Sequence, residues 1–149
     1  MANRSSHPLL SCADGIATGM SDLLLLVGRV LIACVFLMTV WTGSPNTGYL
    51  TSINFVYPEM MGLLARTVEW IIVVTMILGL GTRYSALLGL LFVIVATVTA
   101  HRYWGYPQAA QLVQYIFLTK NLAIAGGTIV LFVTGGGRFS VDNTLASKS

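Results

Sequence analysis

The chain has 149 residues with eight Lys/Arg and five Asp/Glu, so 9% of it is charged, against about 25% in an ordinary soluble domain. Hydrophobic residues make up 56% and mean hydropathy is +0.81. Too few polar side chains remain to cover a soluble fold of this size, which excludes a soluble enzyme and a disordered chain. The net charge of +3 is spread over single basic residues, whereas a polyanion site needs them clustered; this excludes nucleic acid as a partner and makes the lipid bilayer the expected one.

The pattern predicts an all-α fold, an integral membrane four-helix transmembrane bundle. Residues 1–21 read as an N-terminal tail, 22–134 as the transmembrane domain and 135–149 as a C-terminal tail. The tail shows no secretory signal: its apolar run starts late and no cleavage site follows. Leu9, Leu10, Ile16 and Met20 are suited to rest on the membrane surface.

A hydrocarbon core about 30 Å thick takes about 20 helical residues. Four apolar runs have that length: Asp22 to Trp41, Met60 to Leu80, Tyr84 to His101 and Leu112 to Thr134. Each must satisfy its backbone amides internally, which makes it a helix; barrel strands would show short alternating segments instead.

Gly81-Thr82-Arg83 predicts a tight turn between spans two and three. The stretches Thr42 to Glu59 and Arg102 to Gln111 hold prolines and glycines and read as loops. Tyr49, Phe55, Tyr57, Tyr103, Trp104 and Tyr106 crowd these loops, as expected of an aromatic belt at one membrane face. Four spans put both termini on one side. That side holds Arg4, Arg83, Arg138 and Lys148 against Arg102 opposite, so the positive-inside bias predicts cytoplasmic termini. The final GGGRFSVDNTLASKS reads as a short polar exit in which Ser140 or Asp142 caps a last surface turn.

Ionisable residues at mid-span cost about 2.5–3.5 kcal/mol each on insertion scales and so require a reason. Arg29, Glu69 and Lys120 are expected to meet, with the Glu69 carboxylate shared between the two cations. Two readings stand: interhelical glue, or a ligand, quinone or proton site. Arg66, one turn before Glu69, is placed either to pair with it or to snorkel to the headgroups. Gln114, Asn121 and Thr128 recur every seven residues and form one polar stripe facing neighbouring helices. Ala96 and Ala100 are a small-xxx-small pair that permits close approach. His101, at the end of span three, is either an interfacial histidine or a donor to a quinone carbonyl. Cys34 reads as a packing residue, and Cys12 shows nothing that would activate it. There is no metal-ligand spacing, no catalytic motif and no phosphate loop.

Several blocks together resemble the DoxX family of small bacterial four-helix membrane proteins, from about Leu23 to Asp142. They are Gly28-Arg29-Val30 to Phe36, Val68-Glu69, Leu78-Gly79-Leu80, Gly81-Thr82-Arg83, His101, Lys120-Asn121-Leu122-Ala123 with Gly126-Gly127, and Thr134-Gly135-Gly136-Gly137-Arg138-Phe139-Ser140-Val141-Asp142. After span one the family often carries His-Gly or a similar polar pair; here Thr39-Val40-Trp41-Thr42-Gly43 has no histidine, so a site built on it is absent or altered. The resemblance implies a bacterial inner-membrane subunit, accessory to or quinone-linked in a redox complex whose other membrane or redox subunits carry the metal or flavin. It carries over Arg29, Glu69, His101, Lys120 and Asn121 as candidates for a ligand, quinone or structural polar cluster. Arg83 and Arg138 also match the family pattern, and together with Arg66 they are expected at the membrane interface. The long loop from Thr42 to Glu59 is then a docking place for a partner. Two other functions fit the same residues: a structural subunit of a large respiratory or photosynthetic assembly, and a small proton-coupled transporter using Glu69.

Overall fold

A computed structural model describes residues 8–41 and 47–147. Arg4, His7, Pro45, Asn46 and Lys148, along with the side chains of Leu9 and Leu10, lie outside the description. Among the described residues seven α-helices follow in order: α1 Pro8–Gly19, α2 Ser21–Trp41, α3 Thr47–Ser52, α4 Pro58–Leu78, α5 Thr82–Thr99, α6 Gln108–Thr134 and α7 Val141–Ala146; a 3-10 turn at Tyr103–Gly105 joins α5 to α6. No strand occurs among the described residues. The four long helices are long and apolar enough to cross a membrane, and 21 residues of α2 span about 31 Å at 1.5 Å each.

Helix limits follow local backbone chemistry and shift some expected boundaries. Span two begins at Pro58 instead of Met60, because proline lacks the amide that a first-turn residue would leave unpaired. It ends at Leu78 because Gly79 turns left-handed at φ 68° and sends its amide back to Thr75 O. Span four starts at Gln108, directly after Pro107 and four residues before the expected Leu112. The segment read as an N-terminal tail contains α1, whose described side chains are exposed.

The spans alternate in direction. One end of the bundle, here the tail end, gathers α1, the Gly79–Gly81 turn and α7; the other, the loop end, gathers α3 and the 3-10 turn. Packing runs α2 on α4, α4 on α5 and α5 on α6, while the closing seam between α6 and α2 is the sparsest of the four. The core is a column of Ala33, Phe36, Ile72, Val73, Met76, Ala86, Val93, Ile124 and Leu131. Phe36 meets Phe92 edge-on with centroids 5.8 Å apart. Around it the outer surface is apolar: Leu31, Leu63, Leu122 and Val133 are all more than 60% exposed, an arrangement suited to acyl chains and not to water. Cys34 belongs to this outer surface and is exposed, not a packing residue of the core.

Candidate functional site

The polar residues inside the bundle divide into two groups at opposite ends. At the tail end Arg29 is 1% exposed. Its Nη1 donates to Gly136 O and its Nη2 to Phe139 O, both at 2.7 Å. The planar guanidinium suits two carbonyls presented side by side. Asp142 completes the knot: its two carboxylate oxygens accept from the amides of Gly81 at 2.6 Å and Thr82 at 2.8 Å. Those amides are left without intrahelical partners at the start of α5. Ser140 caps α7 by accepting from Asn143 N, as expected. Asp142, in contrast, caps α5 from a distance in sequence. The tail is therefore packed into the bundle and is not a free polar exit.

Arg29 does not join Glu69. Ten residues of α2, about 15 Å, separate it from Thr39, and Thr39 is the residue that meets the carboxylate. The sequence places Arg29 by its Cα depth. Its long side chain points toward the tail end, where two carbonyls await it.

The second group occupies the loop-end half. Glu69, midway along α4 and 6% exposed, accepts a hydrogen bond from Thr39 Oγ1 at 2.9 Å. The Thr39 hydroxyl also lies 2.6 Å from Phe36 O, one turn back in its own helix. Arg66 and Lys120 both lie within electrostatic range of the carboxylate. Arg66 donates through Nη2 to Val40 O at 2.9 Å and is half-buried, so it turns inward onto α2 and does not snorkel to headgroups. Lys120 reaches across the α2–α6 seam and helps line a groove of about 440 Å³ with Val35, Met38 and Thr39.

Next to Lys120 stands an aromatic stack. Lys120 Nζ is 5.0 Å from the centroid of the Phe117 ring, within cation–π range. Phe117 lies 4.8 Å from His101, and Tyr49 covers His101 at 6.0 Å and 23°. His101 Nδ1 is 3.0 Å from Gln114 Oε1. Tyr49 OH donates to Ala100 O at 2.5 Å and meets Tyr106 OH at 2.9 Å. Burial, followed by this contact with Tyr106, pushes the Tyr49 phenol well above its usual range. Tyr49 and Tyr106 thus turn inward, while Tyr57 and Trp104 keep the exposed position expected of a belt.

The seven-residue stripe is buried throughout: Gln114, Asn121 and Thr128 are each no more than 7% exposed. Asn121 points to α5, donating to Thr97 Oγ1 at 3.0 Å, so it ties α6 to α5 and does not line the groove. Arg83 and Arg138 are exposed at the tail end. Thr39 and Tyr49 are the residues of this half that sequence reasoning leaves aside. Threonine is an ordinary helix residue, and a tyrosine in a loop reads as interfacial.

The sequence model of the DoxX family matches residues 24–102. Two proteins of Escherichia coli K12 are similar over most of their length. Inner membrane protein YphA is 28% identical over 126 residues, covering 80% of this chain and 88% of the relative. Inner membrane protein YqjF is 28% identical over 135 residues, covering 87% and 97%. No solved structure matches the chain. The matched block runs from α2 past the end of α5 and contains Arg29, Thr39, Glu69 and His101, whereas Lys120, Asn121 and Arg138 lie beyond it. With four helices among the described residues long and apolar enough to cross a membrane, and a family match over more than half its length, the chain belongs to the DoxX family of membrane proteins.

Proposed function

We propose that this chain is a quinone-linked membrane subunit of a redox complex in the bacterial inner membrane, and that the quinone head enters the seam between α2 and α6. The observation that carries this reading is the groove lined by Val35, Met38, Thr39 and Lys120. Its walls suit an apolar isoprenoid tail. Lys120 in its lining offers an ammonium group as donor to a ring carbonyl, and Thr39, also in the lining, holds the Glu69 carboxylate. Ionisable groups placed beside a lipid-facing groove are costly and point to function. The weak packing of the seam gives a flat ring a way in from the bilayer.

In this reading Lys120 orients the quinone and Glu69 accepts a proton from the hydroquinone. The second proton leaves to water, and the two electrons of the hydroquinone pass to a flavin or metal on a partner subunit. Asn121 and Arg29 take structural roles in it, because the Asn121 amide nitrogen is bound to Thr97 and both terminal guanidinium nitrogens of Arg29 are bound to the C-terminal tail. Both termini face the cytoplasm, in line with exposed Arg83 and Arg138 at the tail end and the positive-inside bias. The two relatives named as inner membrane proteins support the location.

The test is purification from native membranes in mild detergent, followed by extraction and identification of bound quinone and of co-purifying proteins. Quinone retained by the wild type and lost from Lys120→Met supports the reading. Recovery of the chain with neither quinone nor partner overturns it.

A further inference from the structure

The hydrogen-bonded group at the loop end is larger than a quinone head requires. His101, Gln114, Tyr49 and Tyr106 form a polar chain that begins beside Lys120 and leads to the bundle surface. Three titratable groups fall in sequence along it: Glu69 in the core, Lys120 between, and His101 nearer the loops. Lys120 is within electrostatic range of both of the others. We propose that Lys120 is a swinging proton carrier between Glu69 and His101, giving the groove a proton path to the loop-end surface. This inference rests on the groove reading above and names the side of the membrane to which its protons go.

The geometry supplies each part. Gln114 Oε1 accepts, so His101 Nδ1 is assigned the ring proton and Nε2 keeps a lone pair. Phe117 lies against both His101 and the Lys120 ammonium, and it holds them near one another without offering either a hydrogen-bond acceptor. The lysine stem has four rotatable carbons, so its head can move between a carboxyl group on α4 and the imidazole at the end of α5. In the first step an N–H bond of the Lys120 ammonium breaks and one forms at His101 Nε2. In the second the O–H bond of protonated Glu69 breaks and its proton restores the Lys120 ammonium. His101 then releases its proton to water at the loop end, leaving the relay as it began except for a deprotonated Glu69. The charged and titratable groups facing this path are Arg66 beside Glu69, Lys120 itself, Tyr49 over His101 and Tyr106 against the Tyr49 hydroxyl. Arg29 is not among them, being bound to the tail.

The experiment uses the full chain in sealed vesicles of uniform orientation, with infrared absorption of the Glu69 carboxyl as readout. That band is identified by its absence in Glu69→Gln. One side at a time is acidified until the band appears. The relay predicts that the band follows pH on the loop-end side. It also predicts that Lys120→Arg, which keeps the charge but does not release its proton, slows the response by roughly tenfold or more. His101→Phe is expected to do the same, with the helical amide bands unchanged. A band that follows the tail-end side overturns the proposal, as does a Lys120→Arg response as fast as the wild type. Quinone plays no part in this measurement, so a failed groove reading, seen as no binding of decylubiquinone to the same vesicles, is distinguishable from a failed relay.

Discussion

Thr39 Oγ1 donates to Glu69 Oε1 at 2.9 Å, and this bond between α2 and α4 sets the position of the buried carboxylate. Arg29, on the same helix as Thr39, is occupied at the other end of the bundle by Gly136 O and Phe139 O. The two relationships make opposite demands on double-mutant cycles. Thr39→Val combined with Glu69→Gln should show coupling of about 0.5–3 kcal/mol, as residues in contact do. Arg29→Ala combined with Glu69→Gln should be additive within about 0.5 kcal/mol. Unfolding in detergent measures both. Strong coupling of Arg29 to Glu69 would contradict the separation of the two groups.

The tail knot predicts a loss of local order when Arg29 is altered. Each hydrogen bond to a charged group contributes about 1.5–3 kcal/mol, and truncation strands two inward-facing carbonyls. Arg29→Ala should lower thermal stability and expose the segment after Thr134 to protease. Arg29→Lys should rescue it poorly, since a single ammonium does not match two carbonyls as a planar fork does. Protease digestion followed by mass spectrometry locates the cut; cutting in the loop-end half instead would contradict the assignment.

Two glycines of the same knot offer a steric test. A Cβ at Gly136 would lie 2.5 Å from Thr82 Oγ1 and 2.8 Å from Ser140 Cβ; one at Gly79, where φ is +68°, would lie 2.6 Å from Arg29 Nη1. A Cβ at Gly126 meets nothing within 4 Å. Alanine at Gly79 or Gly136 should therefore reduce the yield of folded protein sharply. Alanine at Gly126 should leave it unchanged or slightly raised, as replacing a helix-interior glycine gains about 0.5–1 kcal/mol. Detergent size-exclusion profiles compare the three.

Asp142 makes the knot pH-dependent. Burial alone would raise its carboxyl. The hydrogen bonds from Thr82 and Gly81, with the Arg29 charge nearby, outweigh that and hold it below the usual carboxylate range. A depressed folded-state value gives stability that is fully present above the ordinary value of about 3.9 and is lost as pH falls through the folded-state value. Asp142→Ala should cost about 0.5–2 kcal/mol at neutral pH, as loss of a helix cap does. Its difference from the wild type should shrink on acidification below about pH 3.9. A difference that stays constant to low pH would rule out the carboxylate cap.

The spans were legible in the sequence because lipid forces every backbone amide to be paired within its own segment, and a run of about 20 apolar residues has no other use. The stripe of Gln114, Asn121 and Thr128 was legible for a similar reason: a seven-residue spacing returns to one helix face. Glu69 and Lys120 drew attention by their cost in an apolar run, and the structure brings them to the same half of the bundle. The partner of Arg29 was not legible, because a side chain several ångströms long can point to either end of its helix and composition does not record which. The tail was misread because its glycines signal only that a helix stops. That Gly136 also makes room for Thr82 and Ser140, as Gly79 does for Arg29, emerges only once α2, the Gly79–Gly81 turn and the tail are seen together. Tyr49 and Thr39 carry no periodicity, so only packing reveals what they touch.

Entry of a quinone into the seam between α2 and α6 underlies the proposed function. The most direct measurement is photolabelling of native membranes with an azido-quinone, followed by peptide mapping. Label is expected on the α2 peptide around Val35 and Met38, competed away by unlabelled quinone and strongly reduced in Lys120→Met. Label that falls on other helices, or that is unaffected by Lys120→Met, would contradict it.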